Sequence, residues 1–271
     1  MTFNKLLFPI FFIFLFSCQS SDENISQNQN IIKFTPQMTF DWDLRSDLPV
    51  SSQYTAEIVD IDAFDNSAEL VTELHSQGKK VIAYISVGSV ENWRSDASDF
   101  PTSIIGNNYD GWDGEKFLDI RRIDVLAPIM RARLDMIKAK GFDAVEPDNM
   151  DSYTNNTGFN ITEQDVINYC KWLADEAHSR GLAIGQKNAT ELSGQLVDSF
   201  DWILLEDAFA DDFQEEAQIY ITKNKAVFAT EYTDRMNEND FLNTVCPLAS
   251  SLKYTTILKE RELNSFVITC N

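Results

Sequence analysis

A single (β/α)8 barrel is the fold this sequence predicts, and three observations predict it. Eight short β-branched or apolar runs recur from Thr39 onward, amphipathic stretches of helical period separate most of them, and no Pro-, Gly- or Ser-rich linker interrupts the series. Eight is the strand count that closes such a barrel. A doubly wound open sheet is the alternative, but no Gly-rich first turn supports it. The 271 residues, 44% hydrophobic and 12% aromatic, suffice for one packed core.

The first residues read as an address rather than fold. Lys5 precedes the apolar run Leu6 to Phe16, too short to span a bilayer but suited to a secretory signal. The run ends Leu15-Phe16-Ser17-Cys18, which is similar to a bacterial lipobox whose cysteine is lipidated after cleavage. An ordinary signal peptide that happens to contain a cysteine is the alternative. The expected division is a lipoprotein signal at 1–17, lipidated Cys18 with a polar tether at 18–35, and the barrel at 36–271. The implied location is the outer membrane of a bacterium, reached through the lipid anchor only. The acidic pair Asp22-Glu23 matches the export tag of surface-exposed lipoproteins.

Within the barrel, strands are expected at 39–44, 56–62, 80–88, 142–148, 182–188, 202–206, 226–232 and 254–258. Helices are expected at 67–77, 125–140, 163–180, 213–223 and 237–252. Thr162 with Asp165 makes a capping-box start, and Gly78, Gly141 and Gly181 fall where helix C-caps are wanted. His75 and His178 close two of these helices, where a favourable interaction with the C-terminus is expected. A zinc site from them is not, and no metal or cofactor is anticipated. Two connections, after the third and fourth strands, are long. The first carries Trp93, Tyr109, Trp112 and Phe117, and the second Tyr153 and Phe159. Both rise from one rim of a barrel, where aromatic faces can stack on sugar rings or simply pin the loops. With Cys18 assigned to lipid, the helical stripe Val166, Tyr169, Cys170, Leu173 and Ala177 buries Cys170. Cys246 and Cys270 are left as a candidate disulfide.

Charge and its placement then speak to function. Against 22 Lys and Arg stand 43 Asp and Glu, a net charge of −21, which repels a phosphate backbone and leaves nucleic acid out as a partner. Most of this excess reads as a solvated surface. Four strand ends are different: Val59-Asp60-Ile61-Asp62, Val145-Glu146-Pro147-Asp148, Leu205-Glu206-Asp207 and Thr230-Glu231-Tyr232 deliver acids to one barrel mouth. Crowded carboxylates titrate apart, and glycoside hydrolysis needs little more than one carboxylic acid and one carboxylate. Acids that cap the following helices, or a divalent metal cage, are the alternatives.

The runs Val81-Ile82-Ala83-Tyr84-Ile85-Ser86-Val87-Gly88-Ser89, Glu91-Asn92-Trp93-Arg94, Leu118-Asp119-Ile120-Arg121, Gly141-Phe142-Asp143-Ala144-Val145-Glu146-Pro147-Asp148-Asn149-Met150-Asp151, Asn156-Thr157-Gly158-Phe159, Gln186-Lys187-Asn188 and Val227-Phe228-Ala229-Thr230-Glu231-Tyr232 resemble the endo-α-1,4-polygalactosaminidases, glycoside hydrolase family 114. The resemblance spans roughly Phe40 to Leu258. It implies a (β/α)8 barrel that cleaves α-1,4-linked galactosamine or N-acetylgalactosamine polymers internally, with Asp148 as nucleophile, Glu206 as acid/base and a retaining mechanism. Glu206 is expected to be kept protonated by its acidic neighbours. Tyr84, Glu146, Asp151, Lys187 and Glu231 are implied to line the sugar subsite, to which the strand-end Asp60 and the loop residue Trp93 are added as substrate contacts. The chain departs from the family pattern at Asp207, where Gln or Cys is expected. The partner implied is a cationic or partly deacetylated polysaccharide, acted on by a monomer. A related barrel acting on another amino-sugar polymer or an α-galactoside, and a lipoprotein that only binds glycan, are the rivals.

Overall fold

A computed structural model describes residues 1–2 and 31–270; the expected signal, Cys18 and most of the tether lie outside the described residues. Eight parallel strands form the barrel: β1 (Phe40–Asp43), β2 (Ile58–Asp62), β3 (Lys80–Ser86), β7 (Ala144–Asp148), β8 (Ala183–Lys187), β9 (Trp202–Glu206), β10 (Ala226–Tyr232) and β11 (Thr255–Lys259). The sheet curls so that β11 returns to β1. Thr255 Oγ1 donates to Met38 O at 2.8 Å, and Lys259 Nζ reaches Asp41 at 3.0 Å across the closure. A short β12 (Ile268–Thr269) pairs antiparallel with β11, and Cys246 and Cys270 are joined by a disulfide that encloses this last stretch.

Two apolar layers explain why the strands read as near-continuous hydrophobic runs. Val59, Val81, Val145, Ile184, Ile203 and Val227 face outward into the layer of helices, which includes α1 (Ala68–Ser76), α2 (Ile123–Lys140) and α3 (Glu163–Ser179). Phe40, Trp42, Ile82, Trp202 and Phe228 fill the barrel interior. Phe34 plugs its bottom, fully buried with its ring 4.4 Å from Trp202 and its carbonyl accepting from Ala226 N. Phe34, at the edge of the expected tether, is thus part of the packed core. Gly185 makes room for Trp202, since a Cβ there would lie 2.4 Å from the indole.

Helix ends follow their capping residues. Ser67 accepts from Leu70 N, Thr162 and Asp165 form a capping box, and Gly141 ends α2 at φ 92°. His75 and His178 sit in last turns as expected, but each binds a carboxylate at the start of a strand. His75 reaches Asp143 and His178 reaches Asp201, both at 2.9 Å, while the same two carboxylates accept from Val81 N and Ile184 N. One clasp is thus used twice to lock a helix end to the sheet.

Three elements differ from the expected pattern. The first long connection is not mostly loop: β4 (Ser89–Glu91), β5 (Ile105–Asn108) and β6 (Glu115–Leu118) form a small antiparallel sheet on the rim. The helix expected at 237–252 widens into a π-helical segment at Phe241–Val245, because Pro247 has no N–H to continue the ladder. The helix expected at 213–223 opens as a 3-10 turn, Gln214–Ala217, before Gln218–Thr222. No helix among the described residues is long and apolar enough to cross a membrane.

Candidate active site

The C-terminal strand ends open onto a cavity of about 380 Å³. Its floor is organised by one ammonium group. Lys187, at the end of β8, is fully buried, and its Nζ lies 2.9 Å from Glu146 Oε1, 2.8 Å from Asp148 Oδ1 and 3.1 Å from Glu206 Oε2. The same Nζ stands 4.6 Å from the centre of the Trp42 ring, which it faces. Burial works against the charged form, but the three carboxylates outweigh it and hold the Lys187 pKa well above its ordinary value.

Asp148 closes β7, in register with Ser86 of β3. Its Oδ2 accepts from Tyr84 OH at 3.1 Å, and a fifth of the side chain remains exposed to the cavity. Glu206 closes β9. It accepts from Asn188 Nδ2 at 3.1 Å and from Tyr232 OH at 2.5 Å, and its own amide donates back to Asn188 Oδ1. Burial pushes the Glu206 carboxyl up, yet the Lys187 charge and the Tyr232, Lys187 and Asn188 donors prevail and hold it below the usual range. The expectation that acidic neighbours keep Glu206 protonated is therefore corrected: its closest partners are a cation and hydrogen-bond donors.

Of the residues expected at the site, Asp148, Glu206, Tyr84, Trp93, Asp151 and Lys187 line the cavity. Asp60, Glu146 and Glu231 do not. Asp60 lies one layer deeper, paired with Trp42 and Ile82. Neither of its oxygens meets a fixed donor among the described residues, and burial, reinforced by the neighbouring Glu146 carboxyl, raises its pKa well above normal. Glu146 sits beneath Asp148 on the same face, 1% exposed and pushed up to about 7 chiefly by burial. Glu231 points out of the barrel and accepts from Phe209 N at 2.9 Å and Ala210 N at 3.0 Å, which shapes the loop after β9. Thr230 pairs with Glu206, so it is Tyr232, two residues on, that shares the inward face.

The cavity also carries residues beyond those expected as substrate contacts, Arg94, Glu115, Asn188, Tyr232 and Arg261 among them. On one side Arg94 is clamped between Asp62 at 2.6 Å and Glu91 at 2.8 Å. Near it Glu115, from β6, accepts from Asn149 Nδ2 at 2.9 Å and from the Ser89 hydroxyl. On the other side Arg261 follows the last barrel strand. Trp93 and Trp112 stand on the rim with about half of their surface exposed. Asn188 and Tyr232 do lie in the motif runs, but strand parity does not single them out: Asn188 reaches the site through a left-handed turn just past β8, and the inward direction of Tyr232 follows only from the strand pairing; Glu115 and Arg261 lie in no motif run. Eight carboxylates against three cations make the wall acidic. Among the described residues, no group of three or more His, Cys, Asp or Glu is placed to hold a metal ion. Two carboxylates fixed on one ammonium, each about a quarter exposed and facing an open acidic cleft, are an arrangement suited to acid/base and nucleophilic work on a sugar.

The model of glycoside-hydrolase family GH114 matches residues 21–271. Ega3 of Aspergillus fumigatus, solved in complex with galactosamine, is 34% identical and superposes with a TM-score of 0.82, over 88% of this chain and 97% of that one. The glycoside hydrolase domain of PelA from Pseudomonas aeruginosa is 15% identical with a TM-score of 0.66, over 86% and 98% of the two chains. A GH18 chitinase from Pseudoalteromonas aurantia is 14% identical with a TM-score of 0.53, over 81% and 92%. These last two likenesses bear on the fold alone. No curated protein matches the chain.

Proposed function

The chain belongs to glycoside-hydrolase family GH114 and is a glycoside hydrolase, and on that premise we propose that it cleaves α-1,4-linked galactosamine or N-acetylgalactosamine polymers internally, with retention. The observation that carries the reading is the shared ammonium of Lys187. Asp148 Oδ1 and Glu206 Oε2 lie 2.8 and 3.1 Å from it. Laid end to end, those two distances keep the two Lys187-facing oxygens within about 6 Å of each other, which favours the close carboxyl pair of a retaining enzyme over the roughly 6.5–9.5 Å separation of an inverting one. The galactosamine bound to Ega3, 34% identical, supports the sugar class. The acidic wall suits free amino groups, and the open rim with Trp93 and Trp112 suits a chain that continues past the site.

In the first step an Asp148 oxygen forms a bond to the anomeric carbon, the glycosidic C–O bond breaks, and Glu206 gives its proton to the departing oxygen. In the second, Glu206 takes a proton from water as the water oxygen attacks the anomeric carbon and the Asp148 ester bond breaks. Tyr84 holds the other Asp148 oxygen. Because the surroundings of Glu206 favour its anion, the protonated form that starts the reaction is a minority at neutral pH, and turnover falls as pH rises. We further read residues 1–17 as a removed leader and Cys18 as a lipid anchor, with the tether presenting the domain at the outer-membrane surface.

The test is hydrolysis of partly deacetylated α-1,4-galactosaminoglycan by the wild type, Asp148→Asn and Glu206→Gln, with product size and anomeric configuration followed by mass spectrometry and NMR. The wild type releases mixed oligosaccharides early, with α-configured new ends, and both variants lose at least about 10³-fold in rate. β-configured first products would overturn retention. Monosaccharide release from the first minutes would point to an α-galactoside enzyme, and binding without cleavage to a lectin-like protein.

A further inference from the structure

Asp207, directly after Glu206, adopts φ 52° in the left-handed region, and its amide donates to Thr230 O at 2.9 Å. The turn keeps its carboxylate off the cavity wall and aims it at two arginines, with Oδ2 3.1 Å from Arg261 Nη1 and 3.5 Å from Arg235 Nη1. The rest of the Arg261 fork is taken by Asp234, at 3.1 Å from Nε and 2.8 Å from Nη2. Fixed by both acids, the guanidinium lies over the Tyr232 ring, 3.8 Å from its centre. Tyr232 in turn gives its hydroxyl to Glu206 Oε1.

We propose that Arg261, anchored by Asp207 and Asp234, is a positioning residue for the acid/base step, acting on Glu206 through Tyr232; this rests on Glu206 being the acid/base. A planar cation on the ring face stops the ring from turning. It also draws electron density from the phenol, so the hydroxyl is a stronger donor to the Glu206 carboxylate. A stronger donor favours the anion and lowers the pH at which Glu206 ceases to act as an acid.

Glu206 is also faced by Lys187 and Asn188 from the end of β8, and by the carboxylates of Glu146, Asp151 and Asp207, with Asp148 sharing the Lys187 ammonium. A variant at Asp207 would change a charge acting directly on Glu206, so the test is built on Arg261 and Tyr232. The pH dependence of kcat/KM is measured for the wild type, Tyr232→Phe, Arg261→Gln, Arg261→Lys, and Tyr232→Phe combined with Arg261→Gln. In Tyr232→Phe the alkaline limb moves up by about one pH unit, and in Arg261→Gln by at least about half of that. Arg261→Lys, which keeps the charge and loses the planar fork, moves the limb as Arg261→Gln does. In the combined variant Arg261→Gln adds less than about half of its single effect. An Arg261→Gln that lowers the rate equally at all pH values, or whose shift persists undiminished when Tyr232 is already replaced, overturns the proposal. Glu206→Gln separates the two levels: if it keeps wild-type activity, the acid/base assignment falls and this inference with it. If it is inactive and the limb still does not move in Arg261→Gln, the positioning role alone falls.

Discussion

Lys187 shows how a single residue can set the chemistry of a whole site. Removed from water, an ammonium needs close counter-charges, and here it has three, so Asp148 and Glu206 are held near one another without the repulsion that two bare carboxylates would suffer. Glu115 is the opposite case. Burial pushes it up to about 7 despite the Ser89 and Asn149 donors, with Glu91 and Asp148 pushing the same way. An ordinary glutamate titrates near 4.5, so the folded state keeps a proton that the unfolded chain has released, and this contribution to stability is lost as pH rises from 4.5 through 7. Glu115→Gln mimics the protonated form and keeps an acceptor for Asn149 and Ser89. Thermal unfolding is expected to show it close to the wild type at pH 4.5 and more stable by about 3 kcal/mol at pH 8. Equal stability at pH 8 would show that Glu115 is not held protonated by its surroundings.

Among the elements, β3 and β7 make the contact that places Asp148. The peptide N–H groups of Val87 and Gly88 both point at Asp148 O, at 3.0 and 3.4 Å. Gly88 is the residue that allows this, because a Cβ there would lie 1.8 Å from the Asn149 carbonyl oxygen. The clash is with backbone, so a side chain cannot be accommodated by a rotamer change. Gly88→Ala forces the two strand ends apart, and we expect kcat/KM to fall about 100-fold through misplacement of Asp148, with a loss of about 1–3 kcal/mol in unfolding free energy. Kinetics and thermal unfolding measured on the same preparation check both. Unchanged kinetics would mean that β7 keeps its register without this approach. The rim sheet of β4, β5 and β6 is a second element with a functional consequence, since it brings Glu91, Glu115, Trp112 and the Arg94 clamp to the cavity.

At the scale of the whole molecule, the barrel brings acids from distant parts of the chain to one mouth, and the net charge of −21 extends that field over the surface. A cationic polymer is drawn to such a surface. The disulfide Cys246–Cys270 encloses the segment that carries Arg261 and Leu263, so one wall of the cavity is tied down by a covalent bond of the kind exported proteins use. The lipid anchor is tested on the complete chain expressed in a Gram-negative host. The wild type is expected in the detergent-extracted membrane fraction and Cys18→Ser in the soluble fraction, with activity on the polymer preserved. A Cys18→Ser protein that fractionates with membranes as the wild type does would refute the anchor.

Much of the architecture was legible because it rests on local pattern. Strands 202–206 and 226–232 lie where their apolar runs lie, and Thr162–Asp165 and Gly141 mark helix ends through capping chemistry that needs no tertiary context. Asp148 and Lys187 were legible as strand-end residues within motif runs, and Glu206 only as a strand-end acid outside them. The direction of Glu231 was not. In a parallel strand buried on both faces, apolar residues occupy both parities, so alternation does not tell inside from outside; only the pairing of Thr230 with Glu206 turns Glu231 outward and Tyr232 inward. Depth is equally silent, which is why Asp60 and Glu146 were expected at the surface of a cavity they lie beneath. The sequence by itself determined the family, the barrel and which strands end in carboxylates, since these follow from motif, periodicity and composition. The tertiary structure alone decided which acids meet, that a lysine and a tyrosine rather than other acids govern Glu206, and that Arg261 lies over that tyrosine, because proton affinities depend on distances that close only when the eight strands do.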